Sequence, residues 1–193
     1  MESMLVMEFY STFRVGNPAC SRIRDTFDDC WMISKSKGET NMIRGGVPSE
    51  KYVYLFRTWR GLLNAAQTTP DVWINNYDKQ IKFIKNLHKK LQIAPLSADE
   101  MEEFSDDLPA FLMKLSEFEL DMMITGIDRN LVKKENANCL MYTVHTYKGL
   151  EFDNIRLSPD VYEKLETSEE NNIYYVALTR GIKNIYIDNS YLD

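Results

Sequence analysis

The chain has 193 residues, 44% hydrophobic and 27% charged, which suits one globular domain, alone or with a helical insertion, and argues against disorder for its bulk. A formal charge of −6 excludes a surface coated in basic residues, although a local phosphate-binding surface needs only a few placed donors. Three cysteines without CxxC spacing point to a reducing compartment and to no metal site, and the absence of a leader or of about 20 consecutive apolar residues predicts a soluble, intracellular protein of the cytoplasm or nucleus with no membrane contact.

In chain order, LVMEFY (5–10) reads as a short strand. Asn17-Pro18 then suits a helix start, Asn as cap and Pro in the first turn, so a helix is expected over about 17–29. Gly38, Gly45, Gly46 and Pro48 punctuate a loop or a pair of short strands. YVYLF (52–56) is a buried strand, followed by a helix over roughly 59–67. From about 77 to 134 the pattern is helical: Ile81, Ile84, Leu87 and Leu91 share one face, and FLMKLSEFELDMMI (111–124) behaves alike. Residues 97–107 carry six acids and no Lys or Arg, and read most simply as a solvated helix start with Ser97 and Glu100 at capping-box spacing. Strand chemistry returns at CLMYTV (139–144), NIRLS (154–158) and NIYID (184–188), with a helix over about 169–181 between the last two.

Strands alternating with helices predict an α/β fold with a largely parallel sheet, in which ligands gather at the carboxyl ends of strands. Two polar loops, STFRVG (11–16) and TVHTYKGLE (143–151), each follow an expected strand and so fall where a site is anticipated. On the helix EENNIYYVALTRG, Ile173, Val176, Ala177 and Arg180 form one stripe that ends in a charge. That arginine either complements the helix dipole and reaches outward, or meets an anion. Arg14 taken alone is a loop arginine, His145 an edge histidine, and Lys148-Gly149 a turn with Glu151 in salt-bridge reach.

Taken together, TVHTYKGLEFDNIRL followed by IYYVALTRGIKNIYI resembles motifs V and VI of superfamily 1 DNA helicases of the UvrD/Rep type. STFRVG resembles motif IV, and IRGG (43–46) with YLFRTW (54–59) resembles the segment between; the F-box DNA helicase branch is the nearest likeness. Two positions depart from the family: Gly181 follows the Thr-Arg pair where Ala is usual, and Trp59 follows Arg-Thr where Asn is usual. The resemblance implies a single RecA-like C-terminal (2A) domain over 1–193, with 71–135 as a helical insertion.

By that resemblance Arg14 and Arg180 are arginine fingers for the γ-phosphate of ATP, Glu151 accepts a hydrogen bond from the ribose, and Lys148 and Gly149 shape the turn that presents it. Thr143 and His145 would face the phosphates and sugars of single-stranded DNA. The sequence holds no GxxxxGK[ST] stretch and no strand ending in a DExx box. The implied ATP, with its Mg²⁺, would therefore be held mainly by a 1A-type RecA-like domain carrying the Walker motifs, in the same chain or a separate subunit. This chain alone would not hydrolyse ATP. Besides this half-helicase stand two other readings, an inert DNA-binding or adaptor module left from a degraded helicase, and a purely structural interaction protein.

Overall fold

The computed structural model describes residues 14–26, 38–94, 96–97, 100, 108–162 and 167–187. The expected strand over 5–10, residues 11–13 of STFRVG and most of the acidic run lie outside the described residues.

Six described strands form one parallel sheet: β1 Asn41–Arg44, β2 Tyr52–Phe56, β3 Val72–Ile74, β4 Cys139–Thr143, β5 Phe152–Leu157 and β6 Gly181–Ile187. Their order across the sheet is β1-β6-β5-β2-β4-β3, and every pairing is parallel. All five residues of β2 are buried because it is central and both its faces are covered. Tyr52, Tyr54 and Phe56 enter one core with Met141, Leu62, Leu63 and Ile84. Val53 and Leu55 enter a second, with Ile155, Leu157, Ala177 and Leu178. The fold is thus the expected α/β sandwich of helices around a parallel sheet.

The helices are α1 Asn17–Thr26, α2 Trp59–Ala66, α3 Tyr77–Ile93, α4 Leu108–Leu112, α5 Glu117–Asn130 and α6 Ser168–Leu178. Local chemistry sets several starts. Thr58 caps α2 by accepting from Gly61 N, while Ser116–Glu119 and Thr167–Glu170 form full capping boxes for α5 and α6. The Ser116 box explains why 111–124 is not one helix: the chain turns after α4 and restarts at the cap. The 71–135 segment is also not wholly helical. Val72–Ile74 forms an edge strand on β4, and Val72 bridges to Leu131. Three residues are too few to show a period in the sequence.

The arrangement around β2 matters for the site. β4 and β5 flank it on opposite sides, both parallel to it. The segment 144–151 must therefore start at the carboxyl end of β4, cross over β2, and deliver the chain to the amino end of β5. Val144 and Tyr147 anchor the crossing in the second core.

Candidate functional site

At the amino ends of β5 and β6, Phe152 pairs with Gly181, and Phe152 N donates to Arg180 O at 3.1 Å. The residues just before these strands, Glu151 and Arg180, are thereby set side by side. Arg14 arrives from a third segment. Gly16 N donates to Thr40 Oγ1 at 2.6 Å, and Thr40 Oγ1 donates to Ile182 O at 2.6 Å, tying the lead-in of α1 to the starts of β1 and β6. A Cβ on Gly16 would collide with the Thr40 backbone, so this close approach requires glycine. With the segment fixed, Arg14 N donates to Glu151 Oε1 at 2.6 Å and Arg14 Nε to Oε2 at 3.3 Å.

Arg180 does not reach outward from its helix. It is 2% exposed, with Nε donating to Val176 O at 2.8 Å, NH2 to Thr179 Oγ1 at 2.8 Å and NH1 to Leu150 O at 3.4 Å. Burial lowers the pKa of its guanidinium, and the Glu151 carboxylate is the largest opposing influence. The Arg14 side chain is by contrast 65% exposed. The three residues make one constellation of two guanidiniums about a carboxylate, beside a cleft lined by Glu50, Lys51, Asp153, Asn154 and Ile182. Such a group can meet an anion through arginine and a hydroxyl through the carboxylate. Lys148 and Gly149 lie exposed in the approach to Glu151, where Gly149 has a φ of 88°.

Thr143 and His145 lie at the other end of the sheet, after β4. His145 is exposed, whereas Thr143 is 5% exposed. The Thr143 hydroxyl meets Thr146 Oγ1 at 3.1 Å and its carbonyl accepts from Thr146 Oγ1 at 3.0 Å, so this threonine shapes the turn that presents its neighbours. TVHTYKGLE begins at the carboxyl end of β4, as expected, but this one crossing segment serves both ends of the sheet, and Arg14, Glu151 and Arg180 gather at the amino ends of β5 and β6; the strand expected before STFRVG lies outside the described residues. The reason is topological, since the segment crosses β2 rather than returning by a helix.

A second group at the carboxyl ends of β2 and β5 escaped the sequence reading. Asp160 Oδ1 accepts from Arg57 N at 3.2 Å, and Oδ2 accepts from Thr58 N at 3.1 Å and Thr58 Oγ1 at 3.0 Å. Arg57 NH1 donates to Glu170 Oε1 at 2.7 Å. The Thr-x-x-Glu spacing of Thr167 and Glu170 was the available signal for the last partner. Nothing local in the sequence marks Asp160.

Comparison with known proteins adds one match: the family model of the UvrD-like helicase C-terminal domain covers residues 32–191. No curated protein matches the chain.

Proposed function

The chain belongs to the UvrD-like helicase C-terminal domain family, and from that premise we propose that it is the RecA-like 2A half of an ATP-dependent superfamily 1 DNA helicase. A helicase-type function and DNA binding follow from the family, whose members use ATP and Mg²⁺ and work with an N-terminal partner domain. In this reading Arg14 and Arg180 serve the γ-phosphate, Glu151 holds the ribose, and Lys148 with Gly149 sets the turn that presents Glu151. His145, seated by the Thr143 turn, faces a single DNA strand. A 1A-type domain supplies the phosphate cradle and most of the Mg²⁺ ligands. The F-box branch remains part of the proposal, on the strength of FRVG, IRGG and TVHTYKGLEFD.

The observation that carries the reading is the meeting of Arg14, Glu151 and Arg180, from three separate stretches of chain, at one end of the sheet. The crossing segment supports it further, because it runs from His145 to Glu151 between the two ends. When ATP is bound, the chemistry is phosphoryl transfer to water; this chain's part is to place guanidinium donors against the charge that develops. The test joins this chain to a domain bearing GxxxxGK[ST], fused or as a separate subunit, and measures DNA-stimulated ATP hydrolysis. Arg180→Ala should lower kcat by about a thousandfold or more, with nucleotide affinity far less affected. The burial of Arg180 favours the second reading, an inert module in which that arginine is structural. Unchanged hydrolysis in Arg180→Ala would establish it and sink the first.

A further inference from the structure

Helix α3 carries five lysines against one aspartate, a net of +4, in a chain of net −6. Lys82, Lys85 and Lys89 lie within about 60° of arc and span about 10 Å along the axis. All three are exposed. They line a groove between α3 and α5, together with Asn86, Ile81 and Ile124. The acids beside them are largely engaged. Asp128 accepts from the Tyr77 hydroxyl at 2.6 Å, Asp121 pairs with Lys85 at 3.6 Å, and Asp78 sits in the first turn of α3, where the helix N-terminus favours its charge. The Lys85–Asp121 pair is solvent-exposed on both sides, so a phosphate can replace that carboxylate at little cost.

We propose that Lys82, Lys85 and Lys89 form a rail for the phosphate backbone of duplex DNA, on a face remote in sequence from every residue assigned above. Charge complementarity selects a polyanion, and the helicase family implies that DNA is bound. Among the described residues the groove carries no stacking platform, which favours duplex over single strand. Grooves for single strands interleave cations with aromatic faces on which bases stack. Here Tyr77 is the one aromatic lining the groove among the described residues, half-buried and held by Asp128. Phe83, the exposed aromatic of α3, lies about 100° round the helix from Lys82. A row of cations without stacking partners suits a backbone whose bases are already paired.

The inference rests on the DNA-binding family and not on the ATP constellation, so the two fail separately. The experiment measures binding of the whole chain to a blunt duplex and to a single strand of equal length by fluorescence anisotropy across a salt series. The triple variant Lys82→Gln, Lys85→Gln, Lys89→Gln should weaken duplex binding roughly tenfold or more at 0.1 M salt and flatten the slope of log K against log salt by about 2.7, about 0.9 for each contact. Single-strand binding should change by less than about threefold, and Lys114→Gln, an exposed lysine off the rail, should leave both alone. Because the lysines are exposed, unchanged circular dichroism and melting temperature would show that the variant folds; a single charge reversal, Lys89→Glu, gives a second reading if it does not. Parent-like duplex binding in the triple variant would overturn the proposal. Equal losses on both DNAs, or no salt-dependent duplex binding by the parent, would overturn it too.

Discussion

Glu151 faces two arginines of opposite character, and their burial decides what its loss costs. Arg14 is in direct contact with Glu151, but its side chain is 65% exposed, and an ion pair so placed is worth about 0–1 kcal/mol. Arg180 is 2% exposed, and its charge has left water with Glu151 as its main electrostatic counterweight. Breaking a fully buried direct pair costs about 3–5 kcal/mol, an upper bound here because Glu151 acts on Arg180 as a nearby charge. Arg180 also keeps its hydrogen bonds to Val176, Leu150 and Thr179, and Glu151 retains 17% exposure, so Glu151→Gln should cost about 2 kcal/mol. The amide oxygen can still accept from Arg14 N, so the loss isolates the charge. Arg14→Gln should cost less than about 1 kcal/mol. The assay is urea unfolding at pH 7 followed by far-UV circular dichroism, comparing midpoints at equal slope. In a double-mutant cycle, Arg180→Met should cost about 1 kcal/mol less on the Glu151→Gln background than on the parent. If Glu151→Gln and Arg14→Gln cost the same, or the cycle shows no coupling, Glu151 does not neutralise Arg180 and the reasoning fails.

Two more predictions follow from packing and burial. A Cβ at Gly181 would stand 2.5 Å from Ile185 Cγ1, inside a strand paired on both sides, so Gly181→Ala should cost about 1–3 kcal/mol in the same urea assay; a change below about 0.5 kcal/mol would mean that Ile185 moves aside freely. Burial pushes the Cys139 thiol up from 9.0 to about 12, so it should resist iodoacetamide at pH 8.5 in the folded chain and react on unfolding, as read by mass spectrometry. Because that pKa is raised on folding, its stabilising share is whole below pH 9 and is lost as pH rises toward about 12, and Cys139→Ala should flatten the alkaline fall in stability. Stoichiometric labelling of native Cys139 would refute both statements.

Much of this fold could be read from sequence because its signals are local. YVYLF is apolar throughout since it is covered on both faces, and the spacing of Ile84, Leu87 and Leu91 marks the buried side of α3. The Ser97–Glu100 capping box also stands as expected, with Glu100 N donating to Ser97 Oγ at 3.3 Å; Lys90 first, then Ser97, lower the pKa of the Glu100 carboxyl to about 2. What could not be read were contacts made across the sheet. Val72–Ile74 is a strand only because β4 offers an edge. The glycine of FRVG carries no visible purpose until Thr40 is found against it. Helix α6 ends at Leu178 rather than near 181, because Gly181 is drawn into the ladder with Phe152. The same pairing explains why a helix-end arginine is buried instead of solvated.

The same pairing gives Gly181, the residue after the Thr-Arg pair, its place in the structure. Gly181 opens β6, and its missing Cβ lets the Ile185 side chain close over the strand start, directly beside the turn that bears Arg180. Arg180 O holds Phe152 N, and Glu151 precedes Phe152, so the geometry of the two charged residues is fixed by one backbone pairing. Arg14 is held to the same end of the sheet through Thr40 and Ile182. The constellation is therefore a property of the amino ends of β5 and β6, and a substitution that shifts β6 against β5 must displace all three residues together. Gly181→Ala thus tests position as well as packing: if β6 moves to admit the methyl group, the coupling between Glu151 and Arg180 in the double-mutant cycle should fall with it. If stability drops while that coupling stays whole, the strain has been absorbed by Ile185 alone, and this end of the sheet holds its charges independently of how tightly the core behind it is packed.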